Sequence, residues 1–282
     1  MKIIHINNIE QINTIIWNQK YRSGINRYRS SCLYRGLPNA DFHLVTSLQR
    51  NCGIKKNAVE LSILRNFTKY ASIEDPALNS SVWRQLIIGQ HHGLPTRLMD
   101  WTYSVLVALH FATSGEDLNN MDKHDCVIWE IDILEMNKKL PQQYQDILKN
   151  RNAFLMTVDM IDELMQGTRH EQEALKKYDE DMQDHSMLLL EPPSVDQRIL
   201  SQYSYFSVTP AMVEHGDDDL GIEHFLENTG NTVKYIINAS LKWRLRDMLD
   251  QMNMNERIIY PGLDGLTAWI KRRYFVRKDA KE

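Results

Sequence analysis

"GQHHGLPTRLMDWT", residues 89–102, sets the reading of the whole chain. It holds two adjacent histidines, a glycine, a proline, an arginine, an aspartate and a tryptophan. Gly93 and Pro95 enforce irregular backbone, so the stretch reads as a loop between two helices. The helix before it is "VWRQLIIGQ" (82–90), which stops near Gly89, a residue suited to a helix C-terminus. The helix after it is "YSVLVALHFATS" (103–114), strongly apolar, with Asp100 or Thr102 as its N-cap. Loops held by a rigid scaffold commonly carry function. Gln90, His91, His92, Thr96, Arg97, Asp100 and Trp101 supply donors, acceptors, a cation, a carboxylate and a stacking face. Histidine serves as a general acid or base near neutral pH, and the Arg97 fork suits a phosphate or carboxylate. For any one residue a structural role is equally open: Asp100 caps a helix, Arg97 pairs with it, and the histidines pack. The set taken together favours a site. Adjacent histidines point apart, and no HExxH or CxxC pattern occurs, so no metal site is expected.

Outward from this stretch, helix and strand patterns mix along the chain. "KIIHI" (2–6), "CLYRGL" (32–37), "CVIWEID" (126–132), "MLLLEPP" (187–193), "RILSQYSYFSVTP" (198–210) and "TVKYIINAS" (232–240) read as strands. Helices are expected in "IEQINTIIWNQK" (9–20) and in "KNAVELSILRNFTKYAS" (56–72), where Val59, Ile63, Leu64 and Phe67 form a stripe. Two more fall in "LKWRLRDMLDQM" (241–252) and "YPGLDGLTAWIKRRY" (260–274). The expected class is α+β, with a mixed, mostly antiparallel central sheet and flanking helices. One domain spans 1–282. The polar segment 134–185 is either an insertion acting as a flap or a solvated helical surface. The last residues are basic and read as frayed.

The totals bound the function. With 282 residues and 43% hydrophobic content, a sizeable core is available. A net charge of -4 gives no sign of general nucleic-acid affinity and leaves room for a local basic patch. Cys32, Cys52 and Cys126 are too few and too scattered for a disulfide framework, which suits a reducing setting. No signal-type apolar core opens the chain and no run approaches a membrane span, so a cytoplasmic location is expected.

Arg35 stands at a strand end just before Gly36, a plausible phosphate anchor as well as a plausible salt-bridge partner. Gly36 permits close approach of a ligand or of another backbone. No GxSxG elbow, Walker lysine loop or glycine-rich dinucleotide fingerprint occurs, which disfavours the familiar serine hydrolases, P-loop NTPases and Rossmann dehydrogenases.

Together these stretches resemble the FRG-domain family, named for an aromatic-Arg-Gly motif that here reads Tyr34-Arg35-Gly36. "LVTSLQR" (44–50), with Thr46 where proline is usual, and "GQHHGLPTRLMDWTYSVLVALHFA" (89–112) are similar to the family's longer signatures. So are "RILSQYSYFSV" (198–208), with Ser204 in place of glycine, and "IIYPGLDGLTAWIK" (258–271). A further resemblance is to ADP-ribosyltransferases of the arginine–serine–glutamate type. Arg35 matches their early strand-end arginine, and Ala108, Phe111 and Ala112 match a later helix. Gln202 stands where their glutamate would fall. This resemblance implies an ADP-ribosyltransferase-like core and NAD as substrate. It also implies a nucleotide ligand, an acceptor that can be macromolecular, and a microbial toxin or defence role. Arg35, His92, Asp100 and Gln202 are the catalytic candidates, with Arg35 holding the pyrophosphate. Tyr34, Gly36, Gln90, His91, Thr96, Arg97 and Trp101 are the ligand-binding candidates, with the nicotinamide stacked on Trp101 or a tyrosine. Glutamine cannot act as a base, so Asp100 or Glu60 must replace it, or the protein binds a nucleotide without turnover. A non-catalytic nucleotide- or nucleic-acid-binding sensor module using the same pocket and a hydrolase using His92 with Asp100 are the alternatives.

Overall fold

A computed structural model describes residues 1–115, 117–168, 170–194, 196–211, 222–227 and 231–277. Of the closing basic segment 271–282, Lys271–Arg273 are not frayed but end the helix Leu263–Arg273, with Arg272 buried against Asp250 and Glu256, and 278–282 lie outside the described part. Among the described residues ten strands form: β1 (Lys2–Ile6), β2 (Lys20–Arg22), β3 (Arg27–Arg29), β4 (Cys32–Leu37), β5 (Leu98–Thr102), β6 (Cys126–Asp132), β7 (Met156–Thr157), β8 (Leu188–Glu191), β9 (Ser204–Val208) and β10 (Val233–Ile237). Eight of them make one sheet in the order β1-β10-β6-β4-β5-β9-β8-β7, while β2 and β3 pair by themselves as a separate ribbon. The outermost pairings, β1 with β10 and β7 with β8, are parallel. Those between are antiparallel. The class is α+β, as the mixed patterns imply.

Strand alternation sorts the core onto two faces. Leu33 of β4, Met99 and Trp101 of β5, and Val127, Trp129 and Ile131 of β6 share one apolar cluster. The opposite face carries two clusters. Tyr34, Ile128, Tyr235, Ala108 and Leu245 belong to the one over β1, β10, β6 and β4. Trp83, Leu98, Tyr178, Leu190, Phe206 and Val208 belong to the one over β5, β9 and β8. Between these two clusters, β4 and β5 share a single register pair, Tyr34 with Thr102. Beyond it the strands part, and the sheet opens near its middle.

Two stretches fold differently from their sequence patterns. Residues 98–102 form β5, a central strand, and are not loop. Four of the five are buried, and a strand buried on both faces lacks the alternation that would mark it. The segment 198–208 begins as a helix, Gln197–Ser201, capped by the Asp196 side chain accepting from Arg198 N, and turns into β9 only at Ser204.

The polar segment after β6 is built into the core. Its helices Gln142–Asn150, Val158–Leu164 and Glu171–Met182 supply Tyr144, Ile147, Ile161, Leu175, Tyr178 and Met182 to the cluster around Trp83. Among the described residues no helix is long and apolar enough to cross a membrane.

Candidate functional site

The opening between β4 and β5 leads into a cavity of about 1020 Å³. One wall comes from the helix Val82–His91. Ser81 caps its start by accepting from Trp83 N. Its end is a Schellman turn: Gly93 takes φ 83°, Leu94 N donates to Gly89 O at 2.8 Å, and Gly93 N donates to Gln90 O at 3.0 Å. The helix therefore runs past Gly89, and Gly93 is the residue that stops it. This turn sets Gln90, His91 and His92 along the cavity.

The floor is β4 and β5. Gly36 is fixed by a neighbouring backbone: a Cβ there would lie 1.9 Å from Ala108 O, so the helix Val105–Ala112 lies directly on β4. That helix is capped by Ser104, not by Asp100 or Thr102. Asp100 is thus released from capping and lines the cavity. Arg35 reaches across the gap and donates from Nη1 to Asp100 O at 2.5 Å, with Asp100 Oδ2 at 3.8 Å. A side-chain donor here replaces a ladder hydrogen bond that the parting strands no longer make. Arg35 Nε is buried without a hydrogen-bond partner. Burial lowers the Arg35 pKa against the pull of Asp100, but a guanidinium stays protonated.

Asp100 is held from behind. Gln90 Nε2 donates to Asp100 Oδ2 at 2.9 Å, while Gln90 Oε1 accepts from Thr96 Oγ1 at 2.7 Å and from Ser47 Oγ at 3.1 Å. The Asp100 side chain keeps 50% exposure.

The FRG domain family model matches residues 30–121. Residues 30–121 are an FRG domain. The matched stretch holds β4, the 89–102 segment and the helix behind it, which is every candidate site residue except Gln202. No curated protein and no solved structure gives a significant match.

The FRG stretch makes only one side of the cavity. The facing wall is supplied by Asp196, Arg198, Gln202, Tyr260 and Asp264. Apart from Gln202, sequence reasoning missed them, because nothing local marks residues that folding brings together from distant parts of the chain. His91 Nε2 lies 3.1 Å from Asp196 Oδ1 and ties the two walls. Burial first, with Arg198 and His92 adding, lowers the His91 pKa against Asp196. Burial alone would raise Asp196, but the Arg198 N–H and His91 outweigh it and hold the carboxyl below its ordinary range. The Arg198 guanidinium lies 5.3 Å from the Tyr260 ring centroid, and Phe111 meets Tyr260 edge-on at 6.4 Å.

The structure brings Arg35, His92, Asp100 and Gln202 to this one cavity, with Tyr34, Gly36, Gln90 and His91. Three candidates stand elsewhere or act indirectly. Arg97 is buried away from the cavity, donating to both Glu60 oxygens and to Asp179 Oδ1 at 2.6 Å. With its fork satisfied by two carboxylates it has no donor set for a ligand, and Glu60 is equally occupied. Thr96 is fully buried and touches the site only through Gln90. Trp101 contributes backbone to the cavity edge. Its ring is 2% exposed in the opposite-face core, with Nε1 donating to Ser207 Oγ at 3.0 Å. No ligand ring can stack there, and Phe111 and Tyr260 are the aromatic faces at hand. Gln202 donates Nε2 to Ile259 O at 3.1 Å, and Thr102 Oγ1 donates to Gln202 O at 2.7 Å, so this residue pins the far wall to β5.

Proposed function

We propose that this cavity binds NAD and that the chain is an ADP-ribosyltransferase-like enzyme. The observation carrying the reading is Arg35. A half-buried guanidinium whose Nε is buried without a partner, beside Asp100 in a cavity of about 1020 Å³, is a ready site for an anionic ligand. That volume suits a dinucleotide, since ligand pockets run to roughly 1,000 Å³. Arg35 holds the pyrophosphate by charge-assisted hydrogen bonds. In the reaction the bond from the nicotinamide nitrogen to the ribose C1′ breaks, and nicotinamide leaves with the electron pair. A bond forms from C1′ to an acceptor oxygen or nitrogen, whose proton passes to Asp100 or to exposed His92. Asp100 also stabilises the developing positive charge on the ribose.

A second reading, binding without turnover, draws on Gln202. Its amide is engaged with Ile259 O, and it supplies no carboxylate. The two readings separate on incubation of the purified protein with NAD. Nicotinamide release, lost in Arg35→Ala and at least tenfold slower in Asp100→Asn, supports the enzyme. Saturable NAD binding by calorimetry without release, abolished in Arg35→Ala, supports the binding module. Neither release nor binding would sink both.

A further inference from the structure

The β2–β3 ribbon is an unusual piece of surface. Residues 20–29 read "KYRSGINRYR", with four cations and no acid, in a chain whose net charge is -4. The register places Lys20 opposite Arg29 and Arg22 opposite Arg27, with Tyr21 opposite Tyr28 between them. By alternation the four cations share one face of the ribbon and the tyrosines share the other. Like charges directly opposite each other destabilise a strand pair. Lys20 has Asp132 at 3.6 Å. Among the described residues no carboxylate stands within ion-pair distance of Arg22, Arg27 or Arg29.

An isolated two-stranded ribbon is already marginal in water, so two repulsive pairs ask for a counter-charge. Tyr21 and Tyr28 meet edge-on at 5.4 Å yet remain 51% and 69% exposed. Beneath the ribbon lies a groove of about 930 Å³ lined by Arg22, Arg29, Tyr103, Phe154, Tyr205 and Glu191. Phe154 is 67% exposed there. Tyr21 lines the same groove as Arg22 and Arg29, so guanidinium groups and aromatic faces meet there, the combination by which proteins hold single strands, cations on phosphates and rings on bases.

We propose that the β2–β3 ribbon and its groove bind single-stranded nucleic acid, at a surface separate from the FRG cavity. Arg22, Arg27 and Arg29 take the phosphates, and Tyr21, Tyr28 and the groove aromatics take the bases. Charge complementarity favours a polyanion, and the tyrosine pair favours nucleic acid over an acidic peptide. The site does not depend on what the cavity binds.

The intact protein is titrated against a fluorescent single strand of ~12 nucleotides at low salt, with anisotropy as readout. Saturable binding is expected, with log affinity falling linearly against log salt. Replacing Arg22, Arg27 and Arg29 by alanine weakens it more than tenfold and flattens the slope by roughly 0.7 for each phosphate that is no longer neutralised. Tyr21→Ser and Tyr28→Ser each weaken it roughly tenfold and leave the slope unchanged. The triple arginine variant keeps or raises the thermal midpoint of the wild type, which shows that the weaker binding is not unfolding. A matched pair of surface changes, Lys139→Ala and Lys149→Ala, leaves binding intact. Absence of saturable binding, indifference to both tyrosines, or equal competition by polyglutamate or anionic vesicles would overturn the proposal.

Discussion

Arg97 and Arg35 stand for two fates of an arginine beside the same loop. Arg97 is about 5% exposed, with Glu60 and Asp179 as buried partners. Burial raises Asp179 even against Arg97, so the carboxylate depends on that cation to stay charged in place. Arg97→Met strands two buried carboxylates and is expected to lower stability by about 3–5 kcal/mol in urea unfolding, with Arg97→Lys failing to restore it. NAD binding by whatever protein remains folded should be little changed. Arg35 has the opposite profile: Arg35→Ala removes one short bond to Asp100 O and should barely move the unfolding midpoint while abolishing ligand binding. The sequence put both arginines forward as anion anchors. Their difference was not legible, because Glu60 and Asp179 lie 37 and 82 positions from Arg97. Asp100 was legible as a candidate carboxylate. That Gln90 and Thr96 hold it was not, although both were singled out for their polarity.

At the scale of elements, Gly36 decides how closely a helix can lie on β4. The added methyl of Gly36→Ala meets Ala108 O, a backbone atom that cannot swing aside. The variant is expected to be poorly soluble or to melt at least ~10 °C lower, since a clash of this kind exceeds a typical core mutation. The aromatic-Arg-Gly motif thus joins a cavity-lining arginine to a packing glycine. Asp196 has a double role on the far wall, capping the helix Gln197–Ser201 and receiving His91. Asp196→Ala should cost about 1 kcal/mol as a lost cap and loosen ligand binding more than that figure alone would suggest, because the two walls lose their tie. β4, β6 and β10 were readable from sequence as short apolar runs with aromatic or β-branched residues. β5 was not, because Gly93 and Pro95 stand just before it and its flanks read as helix, so the stretch looked like a loop.

For the whole molecule, acid response follows from one buried network. His110 is fully buried, with Arg246 Nη1 3.0 Å from its Nδ1. Burial first and Arg246 second push its pKa down to about 3. The folded state refuses a proton that the unfolded chain accepts below about 6.5, so stability is full at neutral pH and declines steadily as pH falls from about 6.5. Glu256 adds to this. Burial alone would raise it, but Arg272 and Arg246 hold it at about 2, so its contribution is present above the usual glutamate range and lost between about pH 4.5 and 2. Urea midpoints measured from about pH 7 to pH 5 should drop by an amount equivalent to roughly 2 kcal/mol from His110 alone. In His110→Asn that drop should shrink to a fraction; an unchanged drop would remove His110 as its cause.

The single register pair between β4 and β5 gives the sheet a seam. Four strands lie on either side of it, each half with its own apolar packing on the cavity face. Mechanically the molecule resembles two leaves bound along a short spine, and the opposite-face cluster around Trp101 and Trp129 is the binding that keeps them in one book. A ligand spanning Arg35 on one leaf and Asp100 on the other, as proposed for NAD, would close that book from the open side. Amides along the seam, those of residues 35–37 and 99–101, should then exchange with deuterium faster than the strand centres on either side, and slow down selectively when the cavity is filled.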